Sequence, residues 1–324
     1  MALPRLPDAA ADGIDTLLDR SVALGFSRIG PAVRRHLPTW PADPPPDALR
    51  GHTVVVTGAT SGLGLATAHG VLALDARLVL VARNEKKAAA VRADLAAAHA
   101  GAEIETVLAD LADLDDVRRA ATELAALGPI HAIVHNAGLM PPERSESPQG
   151  HELTMAVHVL GPVLMTDLLR PALADGARII MVTSGGMYAQ KLRADDPEYL
   201  TGDYSPTTAY ARSKRAQVEL LPLLGERWGQ SVRVYASHPG WADTPGVEES
   251  LPTFRRLTRP VLRDAQGGAE TTVWLAAVQP PPPTGTLLHD RRGRSTHFRA
   301  GTRPSAAEVA RMWSWVTTAA GLES

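Results

Sequence analysis

From residue 52 onward, short apolar runs alternate with longer stretches of helical periodicity. Runs at 53–57, 77–82, 103–109, 130–135, 178–183, 232–237 and 285–289 are rich in aliphatic and β-branched residues and predict seven strands. The intervening segments repeat apolar residues every three or four positions. They predict helices running to residue 74, to residue 99, over 114–127, between 150 and 173, over 209–228 and over 265–278. The run Ile179-Ile180-Met181-Val182 is apolar on both faces, as a parallel strand covered by helices on each side must be. The expectation is an α/β fold with a doubly wound parallel sheet and helices on both faces. A capping box, Ser305-Ala-Ala-Glu308, opens a terminal helix that carries Trp313 and Trp315.

The first 50 residues follow another pattern. Ile14, Leu17, Leu18, Val22 and Leu24 recur at helical spacing, Phe26 and Ile29 continue it loosely, and a proline-rich connector follows at 38–46. An amphipathic helix packed on the main domain is expected there, with a membrane-surface or dimer-contact helix as the sharper alternative. Length alone suggests about two domains at roughly 150 residues each. The continuous strand–helix alternation argues instead for one domain over 51–290, an N-terminal helical extension and linker over 1–50, and a C-terminal extension with a terminal helix over 291–324.

Composition narrows the chemistry. The 324 residues include no cysteine, which excludes a disulfide scaffold, a cysteine nucleophile, an iron–sulfur cluster and a thiolate zinc site. The 33 basic and 35 acidic residues nearly cancel, so no overall field favours nucleic acid. No stretch of 18 residues is continuously apolar and the N-terminus lacks a charged-then-apolar leader, so neither a transmembrane segment nor secretion is expected, and the cytoplasm is the expected compartment. His131 and His135 would lie ~13 Å apart on a strand, too far to share a metal, and no metal site is expected. Lysine occurs only at 86, 87, 191 and 214, against 29 arginines, so a lysine at a chemically meaningful position carries information here.

Two constellations are such positions. Thr57-Gly58-Ala59-Thr60-Ser61-Gly62-Leu63-Gly64 follows the first strand and opens a helix. Glycines there admit backbone N–H groups to a pyrophosphate, and the helix N-terminus adds partial positive charge. The second strand ends in Arg83-Asn84 with no acid at its tip, which suits a 2′-phosphate and favours NADP(H) over NAD(H). A plain tight turn and a solvated arginine are the ordinary alternatives. Further on, Tyr210-Ala-Arg-Ser-Lys214 places a phenol and an ammonium one helical turn apart. A phenol titrates at ~10, and a nearby cation lowers that value enough for acid/base work. Ser184 ends the fifth strand, at the sheet edge where ligands of such folds bind, and can polarise a carbonyl.

Together these residues resemble the classical short-chain dehydrogenase/reductase family, a Rossmann-type fold, over about residues 51–290. The match rests on Thr57-Gly58-x-x-x-Gly62-x-Gly64, Asp110-Leu111, Asn136-Ala137-Gly138, Ser184, Tyr210-x-x-x-Lys214 and Pro239-Gly240, all in the family's order. Thr183–Met187, His238–Val247, Ala265-Gln266-Gly267 and Ser295-Thr296-His297 are similar to the branch of dehydrogenase/reductase SDR family member twelve. The resemblance implies that Gly58, Thr60, Ser61, Gly62, Leu63 and Gly64 hold the pyrophosphate and adenosine ribose. It implies that Arg83 and Asn84 meet the 2′-phosphate, and that Asp110 and Leu111 flank the adenine. Asn136, Ala137 and Gly138 then shape the cofactor floor, and Pro239, Gly240, Trp241 and Thr244 border the nicotinamide. Tyr210 is the implied acid/base, Ser184 the carbonyl orienter, and Lys214 the pKa modifier and ribose contact.

One position departs from that pattern. His158-Val159-Leu160-Gly161 stands where the family has Asn-x-x-Gly, and a histidine there is expected to replace the asparagine in a water relay to the lysine. The segment between Ser184 and Tyr210 reads as an exposed loop and 248–264 as a substrate lid, with Met140, Met187, Trp241, Leu251 and Phe254 as a candidate apolar pocket. The implied activity is hydride transfer between NADP(H) and a lipophilic ketone, aldehyde or alcohol. A catalytically weak nucleotide-binding regulator on the same scaffold is the alternative. Family resemblance also implies a homo-oligomer.

Overall fold

A computed structural model of the chain describes residues 6–323. Eight strands form one sheet: β1 (Thr53–Thr57), β2 (Arg77–Ala82), β3 (Ile104–Leu108), β4 (Ile130–His135), β5 (Leu173–Val182), β6 (Val232–Ser237), β7 (Thr286–His289) and β8 (Arg292–Gly293). Their spatial order is β3-β2-β1-β4-β5-β6-β7-β8, parallel throughout except for the β7–β8 hairpin. The order reverses between β1 and β4, which opens a crevice at the C-terminal ends of these strands. Alternate residues of one strand enter opposite core layers. Val55, Ile133 and Ile179 face the helices Leu114–Ala125, Gly161–Leu169 and Pro206–Glu219. Val54, Val56 and Ile180 face Gly62–Leu72 and Ala265–Ala277.

The differences from the sequence pattern have local causes. The single helix predicted over 209–228 is two, Pro206–Glu219 and Leu221–Trp228, because Pro222 cannot donate into a continuing ladder. Ser205 caps the first of them by accepting from the Thr208 N–H, which moves its start to Pro206. Leu153–Ala172 is the described helix long and apolar enough to cross a membrane by length and composition, and 78% of its apolar window is buried in the core, which accounts for that composition.

The N-terminal extension folds as three helices, Asp8–Arg20, Val22–Phe26 and Ile29–Arg34, laid against the β7–β8 hairpin. Arg34 is 1% exposed and donates to Asp15 at 2.7 Å and to Asp290. Arg263 also holds Asp290, and Arg294 holds Asp15 at 2.7 Å. These pairs fix a tight turn in which Asp290 (φ 50°) and Arg291 (φ 59°) are both left-handed, a conformation that costs non-glycine residues about 1–2 kcal/mol each. The proline-rich connector runs on to the sheet, with Ala42 O accepting from Trp274 Nε1 and Pro41 O from Arg291. At the other end, the helix Ala306–Ala319 buries Met312 and Val316 in the core, and its capping box is formed by Ser305 and Glu308.

Candidate active site

The glycine loop leaves β1 and runs into the helix Gly62–Leu72. Gly58 has φ 64°, and a Cβ there would come within 2.8 Å of the Ala137 backbone. Gly64 packs equally close, since a Cβ would meet the Asn136 amide nitrogen and the Gly58 carbonyl. Ser61, at the N-cap, makes no side-chain cap, so the first N–H groups of this helix face the crevice without a side-chain acceptor. That is the cradle a pyrophosphate requires, and the residues present fit it. Thr57 organises the floor. Its Oγ1 accepts from the backbone N–H groups of Asn136 (3.1 Å) and Ala137 (3.0 Å), and the Asn136 amide donates back to the Thr57 and Gly58 carbonyls.

The catalytic candidates converge at the ends of β5 and of the helix Pro206–Glu219. Lys214 is 2% exposed, and its Nζ donates to the Val182 carbonyl at 2.8 Å. Thr183 Oγ1 donates to the Lys214 carbonyl, tying the strand end to the helix. Burial pulls the Lys214 ammonium down to about 7. Tyr210 lies one turn earlier, with Lys214 Nζ 5.6 Å from its ring centre. Burial pushes the Tyr210 phenol up, and a hydrogen bond with the Ser184 hydroxyl pulls it partly back. In this arrangement the pull on the phenol comes from Ser184 rather than from Lys214, because the lysine's proton is aimed at Val182 O.

His158 sits in a single π-helical turn, Ala156–Leu160, inside the long helix. The cause is Pro162, four residues on, which has no N–H for the His158 carbonyl. The freed carbonyl accepts instead from Gln217 Nε2 at 2.7 Å. The ring is fully buried, and its Nε2 accepts from the Leu139 N–H at 3.0 Å, which puts the ring proton on Nδ1. Nδ1 lies 2.7 Å from Ser213 Oγ, whose own proton goes to the Tyr210 carbonyl. Burial and the Lys214 charge hold this imidazole well below its ordinary pKa. Both ring nitrogens are thus committed to protein groups. The water relay expected through His158 does not match this geometry; the side chain ties the loop after β4 to the tyrosine's helix.

The loop after β6 is held from an unexpected direction. Gly240 (φ 73°) has the Phe26 carbonyl 2.6 Å from where a Cβ would stand, so only glycine fits. The same carbonyl accepts from the Trp241 N–H at 2.7 Å and from Arg263 Nε at 2.9 Å. Thr244 caps the short helix Pro245–Ser250 and lies over Gly62, which brings this loop to the phosphate cradle. Pro239 leads into it, with its carbonyl beside Gly268. Arg255 of the lid helix Pro252–Thr258 pairs with Asp243 at 2.6 Å, and Phe254 meets Trp241 edge-on at 5.4 Å.

Not every expected residue lies in the crevice in the expected way. Leu111 is a 5% exposed core residue against Gly161, and Met187 is fully buried beneath Thr183. Asn84 caps the helix Glu85–Ala98 by accepting from the Lys87 N–H. Arg83 is largely exposed at the tip of β2, 3.7 Å from Asp110, free to swing toward an anion. Asp110 also accepts from the Ala112 N–H. Thr60 is half-buried and Ser61 exposed in the loop, while Leu63 packs on Gly268. Gly138 lies against the His158 ring. The Ser184–Tyr210 segment is ordered by buried Asp196, which accepts from Leu200 and Thr201, and by Glu198 on His151. Sequence reasoning missed Ser213, Gln217 and Phe26. Pro162 was the available signal for Gln217, through the carbonyl it strands. Among the described residues no three metal-ligating side chains converge.

The short chain dehydrogenase family model matches residues 52–253. Human dehydrogenase/reductase SDR family member 12 is 33% identical over 263 residues, covering 79% of this chain and 82% of that protein. A protein of Streptomyces sp. strain C5, provisionally named a daunorubicin C-13 ketoreductase, is 35% identical over 88% of this chain and 98% of its own length. A solved structure from Beutenbergia cavernae, provisionally named an NAD(P)-dependent gluconate 5-dehydrogenase and holding NADP at low occupancy, superposes with a TM-score of 0.60. It is 26% identical and covers 75% of this chain and 96% of that one. The order of the strands, the glycine cradle and these matches together place the chain in the short chain dehydrogenase family of oxidoreductases.

Proposed function

We propose that the protein is an NADP(H)-dependent oxidoreductase that interconverts a lipophilic carbonyl compound and its alcohol, with Tyr210 as general acid/base. The observation that carries this reading is the convergence of Ser184, Tyr210 and buried Lys214 at the end of β5, beside the glycine cradle. NADPH, when bound, supplies the hydride to the carbonyl carbon. Tyr210 gives its phenolic proton to the carbonyl oxygen, so the carbonyl becomes an alcohol and the phenol a phenolate. Ser184, whose hydroxyl lies close enough to lower that phenol's pKa, orients the same oxygen. Lys214, near 7 in the cofactor-free protein, is driven toward its ammonium form by an anionic dinucleotide and then stabilises the phenolate. Arg83 is the group for the 2′-phosphate, which is the reason to favour NADP(H), and Asn84 serves it only by capping the helix behind. His158 is a positioning residue for the Leu139 backbone and the tyrosine's helix. The Streptomyces relative's ketoreductase name and the NADP in the Beutenbergia structure support the ketone and the cofactor.

The test is NADPH consumption over a panel of apolar aldehydes and ketones, with NADH as control, for the native chain and Tyr210→Phe. The variant should bind NADPH nearly as well and lose turnover by about a thousandfold or more. Undiminished activity in Tyr210→Phe would refute the mechanism.

A further inference from the structure

Aromatic residues make up only 4% of this chain, and it has just three phenylalanines, Phe26, Phe254 and Phe298. All three join one aromatic cluster with Trp241 and Tyr188, although they come from the N-terminal arm, the lid helix and the segment after β8. Phe26 meets Trp241 edge-on at 6.3 Å, and Trp241 meets Phe254 edge-on at 5.4 Å. Phe298 stacks on Tyr188 at 4.1 Å and lies 6.5 Å from Phe26. The cluster reaches the reacting groups through Gly185, which follows Ser184: a Cβ on Gly185 would stand 3.1 Å from Phe26 Cε2. Phe26 is 2% exposed and forms the base, Trp241 and Phe254 are half-buried, and Phe298 is 36% exposed at the rim.

We propose that this aromatic wall selects the substrate, that the carbonyl compound carries its carbonyl next to a planar aromatic ring system, and that Phe26 and Phe298 are specificity-determining residues. The inference rests on the carbonyl-reductase reading above and deepens it. A chain that fills its core with Leu, Val, Ile and Ala has aliphatic side chains in abundance for an aliphatic pocket. Aromatic faces and edges add a directional quadrupole contact that a saturated ring does not return. The arm's role follows from the same geometry. Its Phe26 carbonyl fixes the Trp241 loop while its ring backs the Ser184–Gly186 turn, so one residue sets the spacing between the wall and the serine.

The test compares matched ketones, 2-acetylnaphthalene and its fully saturated decalin analogue, with the NADPH-loaded full chain. The native protein should favour the aryl ketone by about tenfold in kcat/KM, expressed mainly in KM. Phe298→Leu and Phe26→Leu should bring that ratio toward unity while the Kd for NADPH holds, and Phe298→Tyr should keep it. Phe298 is exposed enough for its variants to fold even if Phe26→Leu does not, so the test survives loss of the latter. Equal kcat/KM for the two ketones, or an aryl preference untouched in Phe298→Leu, overturns the proposal. Should no carbonyl be reduced at all, binding of the two ketones to the NADP+ complex, followed by tryptophan fluorescence, decides separately. Preferential binding of the aryl ketone upholds the wall and sinks only the reductase reading; equal or absent binding overturns the wall.

Discussion

Replacing Lys214 by Met offers a measurement of the site's electrostatics that needs no substrate. The side chain is 2% exposed, and its one protein acceptor is the Val182 carbonyl. Its pKa falls from 10.5 to about 7 on folding, which at ~1.4 kcal/mol per unit is about 5 kcal/mol of differential interaction. The sign follows from proton counting. Between about pH 7 and 10 the unfolded chain holds a proton that the folded chain has released, so stability rises with pH across that window. Below pH 7 both states are protonated, and the folded protein bears the full cost of a buried ammonium. Methionine cannot titrate, and it loses only the bond to Val182 O, worth about 1–3 kcal/mol. The stability difference, native minus variant, should therefore grow by about 3 kcal/mol between pH 6 and pH 9.5. Titrations shared by both chains cancel in that difference.

The assay is urea unfolding of the cofactor-free proteins at four pH values, with equal m-values as the check that the two chains unfold alike. Adding NADPH, which is anionic overall and whose reduced nicotinamide carries no positive charge, should flatten the native protein's slope by raising the Lys214 pKa and reducing the proton mismatch between the folded and unfolded states. A difference that stays constant within about 1 kcal/mol from pH 6 to 9.5 would mean that Lys214 titrates as a solvated lysine does. The account of its burial, and of its change of state when the dinucleotide binds, would then be wrong.

Arg83→Ala should raise the Kd for NADPH by roughly ten- to a hundredfold, the loss of a charge-assisted pair, and leave that for NADH little changed; equal losses would remove Arg83 from the 2′-phosphate. Asp290→Asn leaves buried Arg263 without a carboxylate and takes one of two from buried Arg34, so it should destabilise the protein by about 3–5 kcal/mol in urea unfolding, whereas a loss under 1 kcal/mol would show that the arm's ion cluster is dispensable. His158→Phe keeps the ring and loses both of its hydrogen bonds, so kcat should fall while the shape of the pH–rate profile stays the same. A displaced acidic limb in that variant would restore the proton relay that the geometry argues against.

The candidate site's local geometry was legible wherever short-range spacing decides it. Tyr210 and Lys214 had to share a helix face because they are four apart, and the glycines had to line a strand–helix turn because of what precedes and follows them. Seven strands showed as apolar runs. The eighth, Arg292–Gly293, has no such run, since two polar residues pair only because a left-handed turn folds them back. The π-turn at His158 was written in Pro162, but only a carbonyl count along the helix reveals it, and the replacement donor, Gln217, lies 59 positions away. Met187 and Leu111 turn their side chains into the core, which the sequence did not show for a related reason. Apolar side chains at strand ends serve core and crevice alike, and spacing does not say which way one points.

The N-terminal arm shows where such reading stops. Its hydrophobic spacing predicted a packed helix, and nothing in it pointed to the reaction centre. The residues that dock it are charged: Asp15, Arg34, Arg263, Asp290 and Arg294, with Arg34 and Asp290 separated by 256 positions. In a chain with 29 arginines, one more arginine carries no signal, whereas one of only four lysines beside a tyrosine does. Yet this ion cluster holds Phe26 where its carbonyl fixes Trp241 and its ring backs the turn after Ser184. The loops after β5 and β6 are braced by the N-terminal arm. Anything that weakens the arm's buried pairs therefore acts on the spacing between Ser184 and the loop over the glycine cradle.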